Sequence, residues 1–262
     1  MIELFDTHCH IHTEDYQLDA DEVLASAHAA GVGRMVVVGT DLATSQAAVQ
    51  FAASREGVWS SIGLHPHDAS LSSQVFAALQ ELGRATQATS AKLVAIGECG
   101  LDYFYAHSTK SEQAAALRAQ IELAIELNVP MIFHVREAFT DFWPIFDDFQ
   151  KNGAKVRGVV HSFTDSAEQL EHALSRDLYI GVNGIMTFTS RPEQLDMARR
   201  IPLESLLFET DAPFLTPKPY RGTINKPEMV VEIASFLANL RNEKFEDLAQ
   251  ATTSNARKLF NV

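Results

Sequence analysis

Short runs of β-branched and other apolar residues alternate with longer amphipathic stretches along almost the whole chain. The runs have the length and composition of strands buried on both faces, and the stretches between them space their apolar residues as helices do. The pattern predicts strands near residues 4–6, 35–38, 59–63, 94–97, 131–134, 158–161, 179–182 and 206–209. Strands that alternate with helices lie parallel, and eight such units favour the α/β class and a single (β/α)8 barrel of the TIM type.

The predicted helices fill the intervals between these strands, and two more follow the last strand. They span residues 19–30, 44–54, 74–85, 111–127, 139–150, 167–174, 193–199, 226–241 and 246–259. A chain of 262 residues suits one barrel, since this fold typically takes about 250 residues. No linker, low-complexity tract or charge run divides the sequence. We therefore expect one domain over residues 1–262.

The formal net charge of −13 argues against a broad duplex-binding surface, because such surfaces are usually basic. It leaves open an enzyme that grips one strand end, because bound divalent metals reverse the local field. No apolar run approaches the length of a membrane span, and no signal-peptide pattern opens the chain. The two cysteines, Cys9 and Cys99, cannot form a disulfide framework, so we expect a cytoplasmic protein in which both are small buried hydrophobes.

A candidate metal site begins in the first apolar run, which starts at Ile2 and leads into Asp6-Thr7-His8-Cys9-His10. In an extended strand, side chains alternate between faces, so Asp6, His8 and His10 are expected to point the same way. Two imidazoles and a carboxylate that converge in this way make half of a metal site. Ordinary polar residues at the end of a strand are the alternative.

Further metal-binding residue types follow other predicted strands. They are His65 and His67 after the third strand, Glu98 and Asp102 after the fourth, His134 after the fifth, His161 after the sixth, and Glu209 and Asp211 after the eighth. In a TIM barrel these strand ends form the active site. Divalent ions bind imidazoles and carboxylates, and one carboxylate can bridge two ions about 4 Å apart. Glu98, which glycines flank, suits the bridge; a histidine satisfied within the core is the alternative for His134 or His161 taken alone.

The chain resembles the TatD family of metal-dependent hydrolases, which are amidohydrolase-like TIM barrels. The matching pieces are DTHCH at 6–10, GLHPH at 63–67, GECGLDY at 97–103, HVRE at 134–137, HSFT at 161–164 and ETDAPFL at 209–215. The resemblance implies two divalent ions, Mg or Mn in function, with Zn an option in the isolated protein. It implies that His8, His10, Glu98 and Asp211 hold one ion, and that Glu98, His134 and His161 hold the other. It also implies deoxyribonuclease activity, 3′ to 5′ from the ends of single strands, with RNA as a further substrate.

The expected reaction is hydrolysis of a phosphodiester by a water that the two ions activate. Asp211 is expected to orient this water and take its proton, and Arg136 to clamp the phosphate with its planar guanidinium. His65 is expected to hydrogen-bond substrate or to orient a metal ligand. The other residues assigned to substrate are Tyr103, Phe163 and Arg221, with Tyr103 and Phe163 stacking on bases. Glu209 is expected to support a histidine ligand. Structural alternatives stay open: an Arg136 paired with Glu137 or another carboxylate, a solvated His65, a plain structural Glu209, and aromatic packing within loops.

Two departures from the family's usual pattern bear on substrate preference. Lys226 stands where the family usually has an acid, and Phe104-Tyr105-Ala106-His107 stands where members often carry a basic residue. One rival is an amidohydrolase acting on a small cyclic amide, lactone or phosphoester, although many of those bridge their metals with a carboxylated lysine where this chain has Glu98. Another is a barrel kept as a binding protein, although no proposed ligand is missing. We expect a monomer with neither membrane attachment nor an obligatory protein partner.

Overall fold

A computed structural model describes residues 3–262; Met1 and Ile2, which open the predicted domain and the first apolar run, lie outside the described part. Within that part, eight parallel strands form one sheet in the order of the chain. They are β1 Leu4–Cys9, β2 Val32–Val38, β3 Val58–Ile62, β4 Leu93–Asp102, β5 Met131–Arg136, β6 Gly158–Val160, β7 Tyr179–Val182 and β8 Leu206–Phe208. Every predicted strand is present, and β1, β2, β4 and β5 extend further than predicted.

All nine predicted helices are also present. The helices of residues 3–262 are α1 Ala20–Ala29, α2 Leu42–Ala53, α3 Ser72–Thr89, α4 Lys110–Leu127, α5 Phe139–Lys151, α6 Ala167–Leu174, α7 Ile185–Phe188, α8 Pro192–Arg200, α9 Val230–Arg241 and α10 Phe245–Phe260. The short α7 was not predicted, because four residues give too little periodicity to detect. Among these described helices, none is both long enough and apolar enough to cross a membrane.

The residues form two compact units, and a single domain over 1–262 stays a prediction. The terminal unit contains residues 3–37 and 161–262, and the central unit contains residues 38–160. In the terminal unit, β1 pairs with β2, and β7 pairs with β8. The end of β1 also pairs with the segment after β8: His10 N donates to Ala212 O over 2.7 Å, and Asp211 N donates to His8 O over 2.8 Å. These bonds hold His8 and His10 beside Asp211.

The central unit pairs β3 with β4, β4 with β5, and β5 with β6. Its core contains a group of aromatic rings between β5 and α5. Phe133 of β5 packs against Phe142 and Phe146 of α5, with ring centroids 5.1 and 5.9 Å away. All three rings are fully buried, which fixes α5 against the strand that carries His134.

Both cysteines are free and fully buried, so the prediction that they act as small buried hydrophobes is confirmed. Cys9 lies on β1 and Cys99 on β4, each directly after a predicted metal ligand. Burial raises the pKa of both thiols. Because the thiolate is the reactive form, these two side chains are protected from metal binding and oxidation.

Strand β4 carries one extra residue at Gly97–Glu98. Ile96 pairs with Met131 and Cys99 pairs with Phe133, so three steps along β4 match two steps along β5. Such a β-bulge re-aims a side chain, and here the extra residue falls at the predicted bridging ligand. The next glycine, Gly100, has φ +153°, and a Cβ there would overlap with the carbonyl oxygen of His134.

We expect Gly100→Ala to lower the free energy of unfolding by about 3 kcal/mol or more, because it combines an unfavourable φ with a backbone clash. Gly153→Ala is a matched control, since Gly153 also has positive φ (+84°) but has no atom within 4 Å of the added Cβ. It should lose only about 1 kcal/mol. Urea unfolding followed by circular dichroism measures both. Equal losses in the two variants would contradict the proposed clash.

Candidate metal-binding clusters

The terminal unit brings together four of the predicted metal ligands, His8, His10, His161 and Asp211, which we call the first cluster. His8 Nε2 lies 3.1 Å from His10 Nε2, and Asp211 Oδ1 lies 3.3 Å from His10 Nε2 and 3.6 Å from His8 Nε2. The ring of His161 stacks on that of His8, with centroids 4.0 Å apart. Ligand atoms of His8, His161 and Asp211 all lie within 4.8 Å of one another. Ring nitrogens and a carboxylate oxygen at these separations suit a shared divalent cation.

Asp211 adopts a left-handed backbone conformation, with φ +59°. Non-glycine residues rarely do so, and such strain concentrates at functional sites. Burial acts to raise the pKa of Asp211, but the hydrogen bond from His10 and the neighbouring imidazoles hold that pKa below its usual value. The side chain is therefore a carboxylate near neutral pH, as a metal ligand requires.

Glu209 lies behind the first cluster. Its Oε1 is 3.3 Å from His161 Nδ1 and accepts a hydrogen bond from Ser162 N over 2.5 Å. A carboxylate against one nitrogen of a histidine sets the tautomer and leaves the other nitrogen to bind metal. This contact supports the predicted role of Glu209.

Asp6 does not join His8 and His10, so the expectation that all three converge was wrong. Its carboxylate accepts hydrogen bonds from Thr210 N (2.9 Å) and Thr210 Oγ1 (2.6 Å), and burial raises the pKa of Asp6 to about 7. The cause is an irregularity in β1, where Asp6 to Cys9 take three steps against two on β2. Regular alternation therefore fails between Asp6 and the histidines. Asp6 instead holds the segment that carries Asp211.

The central unit contains the second cluster, which consists of His65, Glu98 and His134. Glu98 Oε1 lies 2.8 Å from His134 Nδ1 and 3.6 Å from His65 Nε2. One ligand atom from each residue lies within 4.8 Å of the others. Glu98 is buried, and the other two side chains are half-buried.

Asp102, which the sequence places at the end of the fourth strand but to which no role was assigned, contacts the other ring nitrogen of His134. Its Oδ2 lies 3.0 Å from His134 Nε2 and 3.1 Å from His67 Nε2. Burial acts to raise the pKa of Asp102, but hydrogen bonds from His134, Tyr105 N and His67 hold that pKa well below its usual value. Asp102 is therefore a carboxylate acceptor.

Both nitrogens of His134 thus face carboxylate oxygens, although a neutral imidazole carries only one proton. We assign that proton to Nε2, where Asp102 accepts it, which directs the Nδ1 lone pair toward Glu98. A divalent cation held by His134 Nδ1 and Glu98 would satisfy both groups. Nδ1 of His134 and the carboxylate of Glu98 therefore fit a metal ion.

His65 is held differently from His134. Its Nδ1 accepts a hydrogen bond from His67 N over 3.2 Å, so the proton of the neutral ring lies on Nε2, toward Glu98. Burial lowers the pKa of His65 to about 3, which keeps this ring neutral. The structure therefore favours a role in orienting Glu98 over that of a solvated loop histidine.

The burial of Phe163 and Tyr103 bears on the prediction that both rings stack on bases. The side chain of Phe163 is only 2% exposed, so it offers no face on which a base could stack, and this assignment was wrong. Tyr103 is half-buried, its hydroxyl donates to Asp141 Oδ2 over 2.9 Å, and Lys110 Nζ lies 3.9 Å above its ring. At most one face of Tyr103 is open, and its role in substrate binding stays a prediction.

Two arginines assigned to substrate differ in their surroundings. Arg136 is exposed and makes no ion pair within residues 3–262, so the alternative of pairing with Glu137 is not found there. Arg221 donates to Thr216 O over 2.8 Å and packs on Phe188, which braces the loop after β8. The substrate roles of both residues stay predictions.

Lys226, which departs from the family's usual acid, forms an ion pair within its own loop. Its Nζ lies 3.1 Å from Glu228 Oε1, and Glu228 also accepts from Ser26. The neighbouring Asn225 is fully buried and donates to Thr210 O over 2.8 Å. The departure therefore changes ion pairing within the loop and leaves the first cluster intact.

The sequence is similar to those of known metal-dependent hydrolases and nucleases. A family model described as TatD related DNase matches residues 5–261. The chain is 39% identical over 261 residues to a Bacillus subtilis (strain 168) protein named uncharacterized metal-dependent hydrolase YabD, covering 99% of each. It is 37% identical over 266 residues to a Klebsiella pneumoniae (strain 342) protein named 3′-5′ ssDNA/RNA exonuclease TatD, covering 99% of this chain and 98% of that protein.

A solved structure shows the same fold. The crystal structure of YjjV, a TatD homologue from Escherichia coli K12, matches with a TM-score of 0.88 at 30% identity, covering 100% of this chain and 99% of that one. This likeness confirms the predicted (β/α)8 fold class of metal-dependent hydrolases.

Proposed function

The chain belongs to the TatD family of metal-dependent hydrolases that act on ester bonds, and from this premise we propose that it is an exonuclease acting on single-stranded DNA and RNA. The observation that carries the proposal is the pair of clusters, each of which combines imidazole nitrogens with a carboxylate. The Klebsiella relative named as a 3′-5′ exonuclease supports removal of nucleotides from the 3′ end.

We propose the ligand sets that the resemblance implies: His8, His10, Glu98 and Asp211 for one ion, and Glu98, His134 and His161 for the other. The short distances among His8, His10 and Asp211, and between Glu98 and His134, support metal binding by these side chains. The assignment of His161 to the second ion rests on the resemblance alone. When bound, divalent ions supply Lewis-acid activation of water and neutralise phosphate charge. The many imidazoles suit Mn²⁺ or Zn²⁺, while the carboxylates also accept Mg²⁺.

The side chains of this chain then have separate tasks. Asp211 takes the proton of the attacking water, whose oxygen forms the new bond to phosphorus as the ester P–O bond breaks. The departing oxygen takes a proton from solvent. Arg136 donates to a non-bridging phosphate oxygen, for which an exposed guanidinium without an acidic partner is suited. His65 and Asp102 orient Glu98 and His134, respectively.

The test is degradation of two single-stranded oligonucleotides, one labelled at the 3′ end and one at the 5′ end, in Mg²⁺, Mn²⁺ or EDTA. We expect the 5′ label to move through a ladder of stepwise shorter products, and the 3′ label to leave first as a mononucleotide. EDTA should abolish both results. A Glu98→Gln preparation, purified in parallel, controls for contaminating nuclease. Intact oligonucleotides under every metal would show the substrate class to be wrong, and small phosphoesters and cyclic amides would be tested next.

A further inference from the structure

Two exposed aromatic rings and an arginine form a surface group in the central unit. Phe104 and Tyr105 are 50% and 44% exposed, and their ring centroids lie 4.7 Å apart in an edge-to-face arrangement. The guanidinium carbon of Arg136 lies 3.8 Å from the Phe104 centroid and 5.2 Å from the Tyr105 centroid. We call these three residues the aromatic platform.

The exposure of the platform is not explained by packing alone. A single exposed ring is common in proteins, but adjacent exposed rings that hold a cation make a continuous apolar and cationic surface. Arg136 makes no ion pair within the described residues, although the chain has a net charge of −13. Stacking occupies one face of its guanidinium and leaves its N–H edges available.

Hydrogen bonds tie the platform to the second cluster. Phe104 N and Tyr105 N both donate to Asp102 Oδ1, over 2.9 and 3.0 Å. The other oxygen of Asp102 lies 3.0 Å from His134 Nε2. Arg136 follows His134 by two residues on β5. The platform is therefore held at a fixed position relative to the side chains proposed to bind metal.

We propose that the aromatic platform is a subsite for one unpaired nucleotide of the substrate. The base stacks on the ring surface that Arg136 leaves uncovered, and the N–H edges of Arg136 donate to the adjacent phosphate. An aromatic ring beside an arginine is the combination that binds single strands without reading their sequence. Bases within a duplex are stacked on each other and cannot reach such a surface, so the platform selects single strands. This subsite rests on the proposed function, since it assigns the substrate's position beside the same cluster.

Binding is measured by fluorescence anisotropy of a labelled ten-residue oligothymidylate in Ca²⁺, with the same samples checked for cleavage. The double variant Phe104→Ala/Tyr105→Ala is expected to bind about tenfold more weakly, from the usual contribution of base stacking. Phe104→Leu/Tyr105→Leu keeps apolar bulk, tests for loss of folding, and should also bind more weakly. The matched control is Phe149→Ala, since Phe149 also packs against an arginine, with Arg118 6.0 Å from its ring centroid.

Two further readouts separate stacking from charge. An oligonucleotide with abasic terminal residues should bind more weakly than oligothymidylate to the native protein, and the double variants should lose this difference. Arg136→Gln should reduce the slope of log affinity against log salt by about 0.7, the value for one phosphate contact on a single strand. Double variants that bind like the native protein, or a native protein that binds no oligonucleotide, would overturn the platform.

The outcomes distinguish this subsite from the nuclease proposal. If the native protein binds oligothymidylate more tightly than the abasic oligonucleotide but cleaves nothing under any metal, the platform stands and the nuclease proposal fails. If the native protein cleaves and the double variants cleave and bind equally well, the nuclease proposal stands and the platform fails.

Discussion

Glu98→Gln is expected to reduce hydrolysis of a single-stranded oligonucleotide at least about a thousandfold and to remove bound metal. Glutamine keeps the shape of the side chain but has no charge to offer a divalent ion. Loss of several kcal/mol of transition-state charge stabilisation corresponds to a rate factor of this size. Glu98 is buried and lies 2.8 Å from His134 Nδ1, so a missing charge there has no nearby solvent to replace it. Initial rates and metal content after dialysis measure the two effects.

The metal content of this variant also tests whether Glu98 is a ligand of both ions. If both ions depend on it, both are lost; if Glu98 serves the second cluster alone, one ion stays. Glu126→Gln is the matched control, because Glu126 is an exposed acid paired with Arg84, and surface pairs contribute little to stability. This control should keep native metal content and rate. A Glu98→Gln protein with both ions and full activity would contradict any role in metal binding.

Asp211→Asn is expected to lower kcat by a factor of about 10² to 10⁴, the usual range for loss of a positioned proton acceptor. Asparagine still offers an oxygen beside His10 but cannot accept a proton from water. Steady-state rates on a labelled oligonucleotide, together with metal content, measure the effect. A lowered kcat with metal retained supports the proton role, whereas loss of metal shows that the charge of Asp211 mainly holds the ion.

The control for this variant is Asp148→Asn, an exposed aspartate whose carboxylate lies 2.7 Å from Arg118. It makes the same chemical change outside both clusters and should leave kcat within about twofold of native. If Asp211→Asn also leaves kcat unchanged, the proton acceptor is another residue.

The order of strands and helices could be predicted because each strand is a short apolar run and each helix has clear periodicity. The ends of several strands could not be predicted. Strand β4 is predicted to end near residue 97, but it continues to Asp102 through two glycines, although glycine usually weakens a strand. Gly97 and Gly100 serve there as the residues that allow β4 to approach β5 closely. The sequence shows where the glycines are, but it does not show which residues of β5 lie too close to allow a larger side chain there.

The candidate site was likewise predictable in its residue types and less so in its detailed geometry. Residue type and position at strand ends predicted six metal ligands: His8, His10, Glu98, His134, His161 and Asp211. The terminal unit brings together His8, His10, His161 and Asp211, and the central unit brings together Glu98 and His134. Asp6 was misplaced because alternation assumes an unbroken strand, and β1 is irregular after Asp6. Phe163 was misplaced because its burial depends on residues distant in sequence. Asp102 had one usable signal, since it lies four residues after Glu98 in the same strand.

The extra residue that β4 carries at Gly97–Glu98 also limits how this strand can change over evolutionary time. Deleting one residue there would leave the pairs Ile96–Met131 and Cys99–Phe133 in an unbroken ladder, but it would remove or re-aim the Glu98 side chain that the bulge presents. The repaired strand would be more regular and would lose its carboxylate. Replacing one apolar residue by another at Ile96 would change packing alone, whereas a change in strand length at the bulge would displace the proposed bridging ligand.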